Sequence, residues 1–159
     1  MKKTIKIIAA SALAIAFAAA CDHSEVVTDK VNVDLTEALK DGQKDSVSVN
    51  AEVEFPVSGL PDSVKTRITE TIVETAFGSD YAGMEIHAAA EKWSSDYVKE
   101  YRETNLEFAK EFESGEPSGG VFSWENQLNG YFSGRHEDIV SYTVYNYIYS
   151  GGAHGTTTE

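Results

Sequence analysis

Residues 46–55 run Ser-Val-Ser-Val-Asn-Ala-Glu-Val-Glu-Phe, and this stretch decides the fold class. Apolar side chains occupy every odd position from Val47 to Phe55, and polar side chains occupy the positions between them. A repeat of two residues is that of a β-strand with one face on an apolar core and the other face in water. Such half-buried strands are typical of antiparallel sheets. The stretch therefore predicts a strand of an antiparallel sheet that is covered on one face.

Two helical patterns follow this strand. Pro61 and Asp62 are typical of a helix start, because proline needs no N–H partner there and an acidic residue complements the helix dipole. Apolar residues then recur at helical spacing over 61–77, and again over 84–112. Thr104 and Asn105 are an expected interruption of the second helix. Its apolar seam is unusually aromatic and comprises Ile86, Ala90, Trp93, Tyr97, Tyr101, Phe108 and Phe112.

The C-terminal third returns to strand-like alternation. Residues 122–133 and 139–149 are separated by a short polar turn and predict a hairpin. A shorter alternation at Val31, Val33 and Leu35 indicates a first strand. Because the helices are grouped between strands, we predict an α+β fold, an antiparallel sheet with two helices packed on one face. The odd residues of 46–55 should be buried together with Trp93 and Phe108.

The first twenty residues have the features of an export signal. Three lysines precede an apolar run over 7–20, which is too short to cross a bilayer as a helix. The run ends in Ala18-Ala19-Ala20-Cys21, which resembles a bacterial lipobox, whose cysteine is lipidated. The alternative is ordinary cleavage after an Ala-x-Ala motif, with Cys21 as a free thiol. The predicted organisation is a lipoprotein signal peptide (1–20), a tether with a first strand (21–44) and an α+β domain (45–159).

The charge balance limits the classes of partner. The chain carries 26 acidic and 13 basic residues, a net charge of −13, which argues against nucleic acid. Without the segment 1–20, which holds three lysines and no acidic residue, the net charge is −16. That charge would attract cationic partners, or it serves solubility alone. The single cysteine excludes a disulfide framework and a cysteine-cluster metal site.

Motifs for catalysis are absent from the sequence. It has no Gly-x-Ser-x-Gly elbow, phosphate-binding loop, dinucleotide glycine pattern or His-Glu-x-x-His. His136, Glu137 and Asp138 are adjacent, but neighbouring side chains in a strand or turn point apart, so a solvated turn is favoured over a metal site. His87 is expected at the surface, near the start of the second helix. We therefore predict a non-catalytic chain without a metal or another cofactor.

Three tyrosines alternate along the last predicted strand. Even positions from Val140 to Ile148 form its expected core face, whereas Tyr145, Tyr147 and Tyr149 share the other face. Rings at this spacing, about 7 Å, could stack on sugar rings or contact a protein. They could equally pack under the aromatic helix. The two alternatives are a ligand surface and a buried layer.

A glycine-rich stretch follows, Tyr149-Ser-Gly-Gly-Ala-His-Gly155. Three glycines in five residues indicate unusual backbone angles or a close approach of two segments. The candidate ligand-binding residues here are Gly151, Gly152 and His154, in a tight loop that presents an imidazole. The alternative is a glycine-rich turn with an incidental histidine.

This stretch and the strand before it resemble the PdaC-type domain of bacterial cell-envelope proteins. Residues 55–60, Phe-Pro-Val-Ser-Gly-Leu, are similar to the strand–turn–helix that opens that domain, and the resemblance covers roughly 45–159. The motif match comprises Gly151, Gly152, Ala153 and His154, and it carries no catalytic role. In this family a second small α+β domain usually follows, so the resemblance implies either a truncated chain or a stand-alone half.

The resemblance and the lipobox together predict a lipid-anchored module of the bacterial envelope, outside the cytoplasm. It would bind or sense a peptidoglycan-type glycan or a cationic glycan-acting protein such as a lysozyme. Family members include the non-catalytic part of peptidoglycan deacetylase C-like proteins and the ectodomain of lysozyme-sensing anti-sigma factors. The alternatives are an envelope glycan hydrolase or deacetylase component, which would use His154, and a structural lipoprotein domain.

Overall fold

A computed structural model describes residues 26–40, 44–111, 121–136, 139–152 and 155–159. The predicted signal segment and Cys21 lie outside these residues. Within the described ranges the chain forms a five-stranded sheet and two long helices, joined by the 3₁₀ turn Ser79–Tyr81. The elements are β1 (Val27–Ala38), β2 (Ser46–Ser58), α1 (Asp62–Phe77), α2 (Ile86–Glu111), β3 (Trp124–His136), β4 (Ile139–Tyr149) and β5 (Thr156–Thr158).

The strands lie side by side in sequence order, and neighbours are antiparallel except for β2 and β3. In that parallel pair Val47 lies opposite Trp124 and Val53 lies opposite Gly130. The α+β prediction is confirmed, but a wholly antiparallel sheet is wrong at this pair. Parallel neighbours need a long crossover, which α1 and α2 provide. Alternation predicts which side chains are buried and says nothing about the direction of the partner strand.

The core lies between the helices and one face of the sheet. Val47, Val49 and Val53 are fully buried, as the alternation predicts. Trp93 is buried beside Phe77, with 5.6 Å between ring centroids. Burial of each such apolar side chain contributes about 1.5–3 kcal/mol relative to exposure. The helices contribute Ile72, Val73, Ala76, Phe77, Ile86, Ala89, Ala90, Trp93, Val98, Tyr101 and Ala109.

The helix α2 is continuous, so the expected interruption at Thr104 and Asn105 is wrong. The buried side-chain amide of Asn105 donates to the carbonyl oxygen of Tyr101, 2.9 Å away, within the helix. This bond supplies a partner for a polar group that would otherwise favour a turn. The Phe108 side chain and Phe112 lie outside the part that the structure describes.

The first strand is longer than its alternation predicts. β1 extends from Val27 to Ala38 and pairs with β2 along its whole length, with a register shift after Val27. Charged residues at its start break the period of two, which hides the strand in the sequence. An ion pair between Glu37 and Arg102 ties β1 to α2.

The predicted hairpin is confirmed as β3 and β4. β2 continues past Pro56 to Ser58, but its ladder with β3 stops at Val53 and Gly130. Beyond that point the buried Glu54 carboxylate accepts a hydrogen bond from the backbone N–H of Phe132, at 3.1 Å. This side chain gives Phe132 a partner where the ladder between β2 and β3 has ended, while the ladder with β1 continues through Pro56, opposite Thr28.

Candidate ligand-binding face

Among the residues that the structure describes, no helix packs on one face of the sheet, and we call it the open face. Tyr142 and Val144 of β4 pack on the core, so the odd residues of β4 point to the other side of the sheet. The same parity in β3 follows from the burial of Asn126 and Leu128. The central side chains of the open face are Tyr145, Tyr147 and Tyr149 of β4 with Gln127, Asn129 and Tyr131 of β3.

The three predicted tyrosines form one column on this face. Each is half-buried, and none belongs to the layer that packs against the core. Packing under the helices, one of the two alternatives left by the sequence, is therefore wrong. The other alternative, a ligand surface, keeps its geometric basis.

The glycine-rich segment holds two of these rings in place. The hydroxyl of Tyr149 donates to the carbonyl oxygen of Gly152 at 2.9 Å. A Cβ atom at Gly155 would lie 2.5 Å from the Tyr147 ring, so only glycine allows this close approach. Gly151 has φ +89°, in the left-handed region that favours glycine. The predicted loop residues thus support the tyrosine column, while Ala153 and His154 lie outside the described residues.

Polar side chains stand beside the column in a regular array. Tyr145 lies opposite Asn129, and Tyr147 lies opposite Gln127, on the adjacent strand. On the next strand, β2, Glu52 lies opposite Asn129 and Asn50 lies opposite Gln127. Aromatic rings offer flat apolar faces, whereas amide and carboxylate groups bond to hydroxyls, so the array suits a sugar chain.

Tyr131 and Gln127 are additions to the set predicted from the sequence. Tyr131 lies opposite Thr143 and is 44% exposed, and Gln127 is also exposed. In the sequence, Gln127 alternates with apolar residues of 122–133, which indicates a polar face for it. What was missing was the hairpin register that sets it beside Tyr147, because a register cannot be obtained from alternation alone.

The electrostatics of the open face are dominated by carboxylates. The Lys30 ammonium lies 2.5 Å from Glu52 and 3.6 Å from Glu54. The hydrogen bond that the Lys30 ammonium donates to Glu52 raises the pKa of Lys30, against the opposing effect of burial. Because these carboxylates neutralise the lysine, and Asp34 is exposed nearby on β1, the face has a net negative charge.

A second surface lies on the helix side, between α1 and the hairpin. It is an apolar groove of about 680 Å³ lined mainly by Val64, Ile68, Phe132, Val140 and Tyr142. Val64 belongs to the predicted apolar stripe of the first helix, yet it is 43% exposed.

The histidines do not converge on a site within the described residues. His87 is exposed at the start of α2, as predicted, with its Nδ1 2.8 Å from a Glu85 carboxylate oxygen. The side chains of 136–138 lie outside the described set. Among the residues that the structure places, no three His, Cys, Asp or Glu side chains cluster as metal ligands would. No described helix is long and apolar enough to span a bilayer.

Comparison with solved structures finds two matches to this chain. A DUF3298 family member from Bacteroides fragilis matches with a TM-score of 0.77 and 21% identity, over 85% of this chain and 54% of that chain. A DUF3298 family protein from Pseudomonas aeruginosa matches with a TM-score of 0.41 and 18% identity, over 84% and 48% of the two chains. Neither a protein-family model nor a curated protein matches the sequence.

At these identities the likeness concerns the fold. The chain spans about half the length of the solved proteins that it matches. The narrower PdaC-type resemblance and the lipoprotein assignment stay predictions. In its described residues, this chain has the fold of a bacterial DUF3298 family protein.

Proposed function

We propose that this chain is a lipid-anchored binding module of the bacterial cell envelope, and that its open face binds a peptidoglycan-type glycan. The observation that carries the proposal is the column of Tyr145, Tyr147 and Tyr149, which lies on the open face of the sheet beside Gln127 and Asn129. Sugar rings present apolar faces that stack on aromatic rings and hydroxyls that bond to amides.

The support of the column by its own chain strengthens this proposal. Tyr149 is held by Gly152, and Tyr147 packs over Gly155. Side chains fixed before binding lose little conformational entropy when a ligand arrives. A row of fixed rings about 7 Å apart suits a repeating ligand better than a single small molecule.

The test is the loss of binding on removal of two rings. The variant Tyr145→Ala with Tyr147→Ala should bind soluble peptidoglycan fragments roughly 5- to 150-fold more weakly, since each ring contributes about 0.5–1.5 kcal/mol beyond its buried area. Titration calorimetry measures this. The matched control is Tyr81→Ala, which removes a half-buried phenol from the helix side and should leave the affinity unchanged.

A thermal melt comes before the binding assay. The double variant should unfold cooperatively at a nearly unchanged temperature, because the column lies outside the core layer, whereas Tyr81→Ala should unfold cooperatively at a lower temperature, because Tyr81 packs against the core. Undiminished binding by a folded double variant would refute the glycan proposal. An equal loss of affinity for peptidoglycan fragments in the control and in the double variant would also refute the glycan proposal.

A cationic glycan-acting protein such as a lysozyme is the second candidate ligand. The supporting observation is the acidic balance of the chain, 26 against 13, together with the exposed Glu52 and Asp34 of the open face. Electrostatic attraction would raise the association rate and make it fall steeply with salt. Salt-sensitive binding of lysozyme, unaffected by the tyrosine variants, would favour this candidate over the glycan.

The module is proposed to be non-catalytic. An envelope hydrolase or deacetylase component is the competing class, with His154 as its candidate group. Incubation of the wild-type chain and of His154→Ala with purified peptidoglycan separates them. Release of sugars or acetate by the wild type that His154→Ala abolishes would establish an enzyme, whereas a binding module releases nothing in either form.

A further inference from the structure

One carboxylate lies directly beside the tyrosine column. Glu125 of β3 lies opposite Tyr149 of β4, at the end of the column that the glycine-rich segment supports. Because Trp124 packs against the core and Asn126 is buried, the Glu125 side chain points to the open face. Cross-strand neighbours on one face have Cβ atoms about 4.5–5.5 Å apart, so this carboxylate borders the Tyr149 ring.

Glu125 differs from the other carboxylates of the open face in its partners. Its Oε1 accepts a hydrogen bond from the neutral Gln127 amide, and within the described ranges it forms no ion pair. Glu52, by contrast, pairs with the Lys30 ammonium, and the exposed Asp34 lies on β1, three strands away from β4. Among these three carboxylates, Glu125 is therefore the one whose charge is available next to an aromatic ring.

The Tyr149 ring and this carboxylate favour the same kind of ligand group. The phenol hydroxyl donates its proton to the Gly152 carbonyl oxygen, so it has no second proton to donate to a ligand. The ring face carries the negative part of the aromatic quadrupole, which attracts cations. A carboxylate accepts hydrogen bonds and donates none, and its bonds to charged donors are the strongest. Both groups therefore favour an ammonium group over an anion.

We infer that Glu125 is a specificity-determining residue of the open face, which selects glycans that carry a free ammonium group beside a sugar ring. The inference rests on the proposed glycan binding and adds the charge of the ligand to it. In a peptidoglycan-type glycan the ammonium has two sources, an amino sugar without its acetyl group and the side-chain amine of a diamino acid in the stem peptide. An acetyl group on either amine removes the positive charge, so acetylation should weaken binding in both cases.

The first experiment compares two sugar oligomers that differ in acetylation alone. Calorimetry with the full chain, in mildly acidic buffer that keeps sugar amines protonated, measures the binding of a glucosamine tetramer and of an N-acetylglucosamine tetramer. The glucosamine tetramer should bind roughly fivefold more tightly, and this preference should shrink as salt is added. Glu125→Gln keeps an oxygen acceptor for Gln127 and should bind the two tetramers with similar affinity.

The matched control is Glu70→Gln, which removes the same charge from an exposed position of α1. This variant should retain the wild-type preference, because the inferred attraction depends on the neighbourhood of Tyr149. An equal loss of preference in both variants would assign the preference to net charge and overturn the role of Glu125. Thermal melts establish that both variants fold.

The second experiment examines the stem peptide as the source of the ammonium. A muropeptide with a free side-chain amine should bind the wild type more tightly than the same muropeptide after acetylation of that amine. A preference for the amine in either pair of ligands, lost in Glu125→Gln, supports the inference and identifies the source. A preference that Glu125→Gln retains would overturn it.

The outcomes also separate this inference from the glycan proposal. Equal affinities within both pairs of ligands, with binding that still depends on Tyr145 and Tyr147, would overturn the inference and leave the glycan proposal intact. A wild-type chain that binds none of the four ligands would refute the glycan proposal, and the inference with it.

Discussion

The side chain of Tyr142 ties three strands together. From β4 its hydroxyl crosses β3 and donates to the backbone carbonyl oxygen of Glu54 on β2, at 2.8 Å. Gly130 makes this path available, since a Cβ atom there would clash with the tyrosine hydroxyl oxygen. Burial raises the pKa of Tyr142, so the hydroxyl remains a donor in neutral and mildly alkaline solution.

We expect Tyr142→Phe to lower the free energy of unfolding by about 1–2 kcal/mol, because the Glu54 carbonyl loses its donor in a buried place. The ring contact with Phe132, 5.0 Å between centroids, would remain. Gly130→Ala should cost about 1–3 kcal/mol through the clash. Urea unfolding measures both. Tyr131→Phe, an exposed tyrosine on the neighbouring strand, is the control and should change stability by less than about 0.5 kcal/mol. Equal effects of Tyr142→Phe and Tyr131→Phe would contradict the assignment.

At the scale of the element, α2 buries a pair of phenols against the sheet. Tyr97 and Tyr101 both contact the Trp124 ring, at 5.8 and 5.6 Å between centroids. Burial raises the pKa of each tyrosine to about 12. Among the described residues, the Tyr101 hydroxyl has no hydrogen-bond partner. Ionisation would therefore leave a charge in an apolar layer.

The resulting prediction is a loss of stability in alkali. In the unfolded chain these tyrosines ionise near pH 10, whereas in the fold they ionise near pH 12. Their contribution to stability is thus complete below about pH 10 and disappears as the pH rises to about 12. We expect it to be of order 1 kcal/mol per tyrosine. Denaturant titrations at stepped pH measure this dependence. Tyr97→Phe with Tyr101→Phe should flatten it in part, since burial also raises the pKa of Tyr81 and Tyr142. If the free energy of unfolding depends on pH in the double variant as it does in the wild type, the burial of Tyr97 and Tyr101 is not the cause of the alkaline loss.

The elements differ in how far the sequence predicts them. The alternation in β2 and the helical spacing of α1 and α2 predict type and buried face, because both depend on local periodicity. The direction of β3 relative to β2 depends on where two helices return the chain, which no local pattern contains. The length of β1 depends on pairing with β2, which overrides the charged residues at its start.

The features of the candidate site also differ in how far the sequence predicts them. Parity places Tyr145, Tyr147 and Tyr149 on one face, and the structure keeps them there. Whether helices cover that face is a tertiary question, so the sequence left two alternatives. The support of Tyr147 by Gly155 is likewise a contact between segments that only the folded chain brings together.

At the scale of the whole molecule, a short stretch of sequence separates the proposed lipid anchor from the sheet. Five residues separate Cys21 from the start of β1 at Val27, and five residues span at most about 18 Å. Because the lipid would be attached to the Cys21 thiol, Cys21→Ala should move the protein from the membrane fraction to the soluble fraction, or leave it unprocessed. Fractionation with mass spectrometry measures this. An unmodified Cys21 on a soluble mature wild-type chain would refute lipidation. The matched control is His23→Ala, which should stay in the membrane fraction.

The parallel pairing of β2 with β3 has a kinetic consequence. Val47 and Trp124 meet across this seam although they are 77 positions apart, whereas the β3–β4 ladder closes between residues as near as His136 and Ile139. Closing a long loop costs more entropy than closing a short one, so contacts of this kind slow folding. The β3–β4 hairpin can therefore form early. The pairing of β2 with β3 forms only after α1 and α2, which connect these two strands, have folded. If this pairing limits the rate, Leu128→Ala, at the fully buried centre of the seam, should slow refolding more than it speeds unfolding.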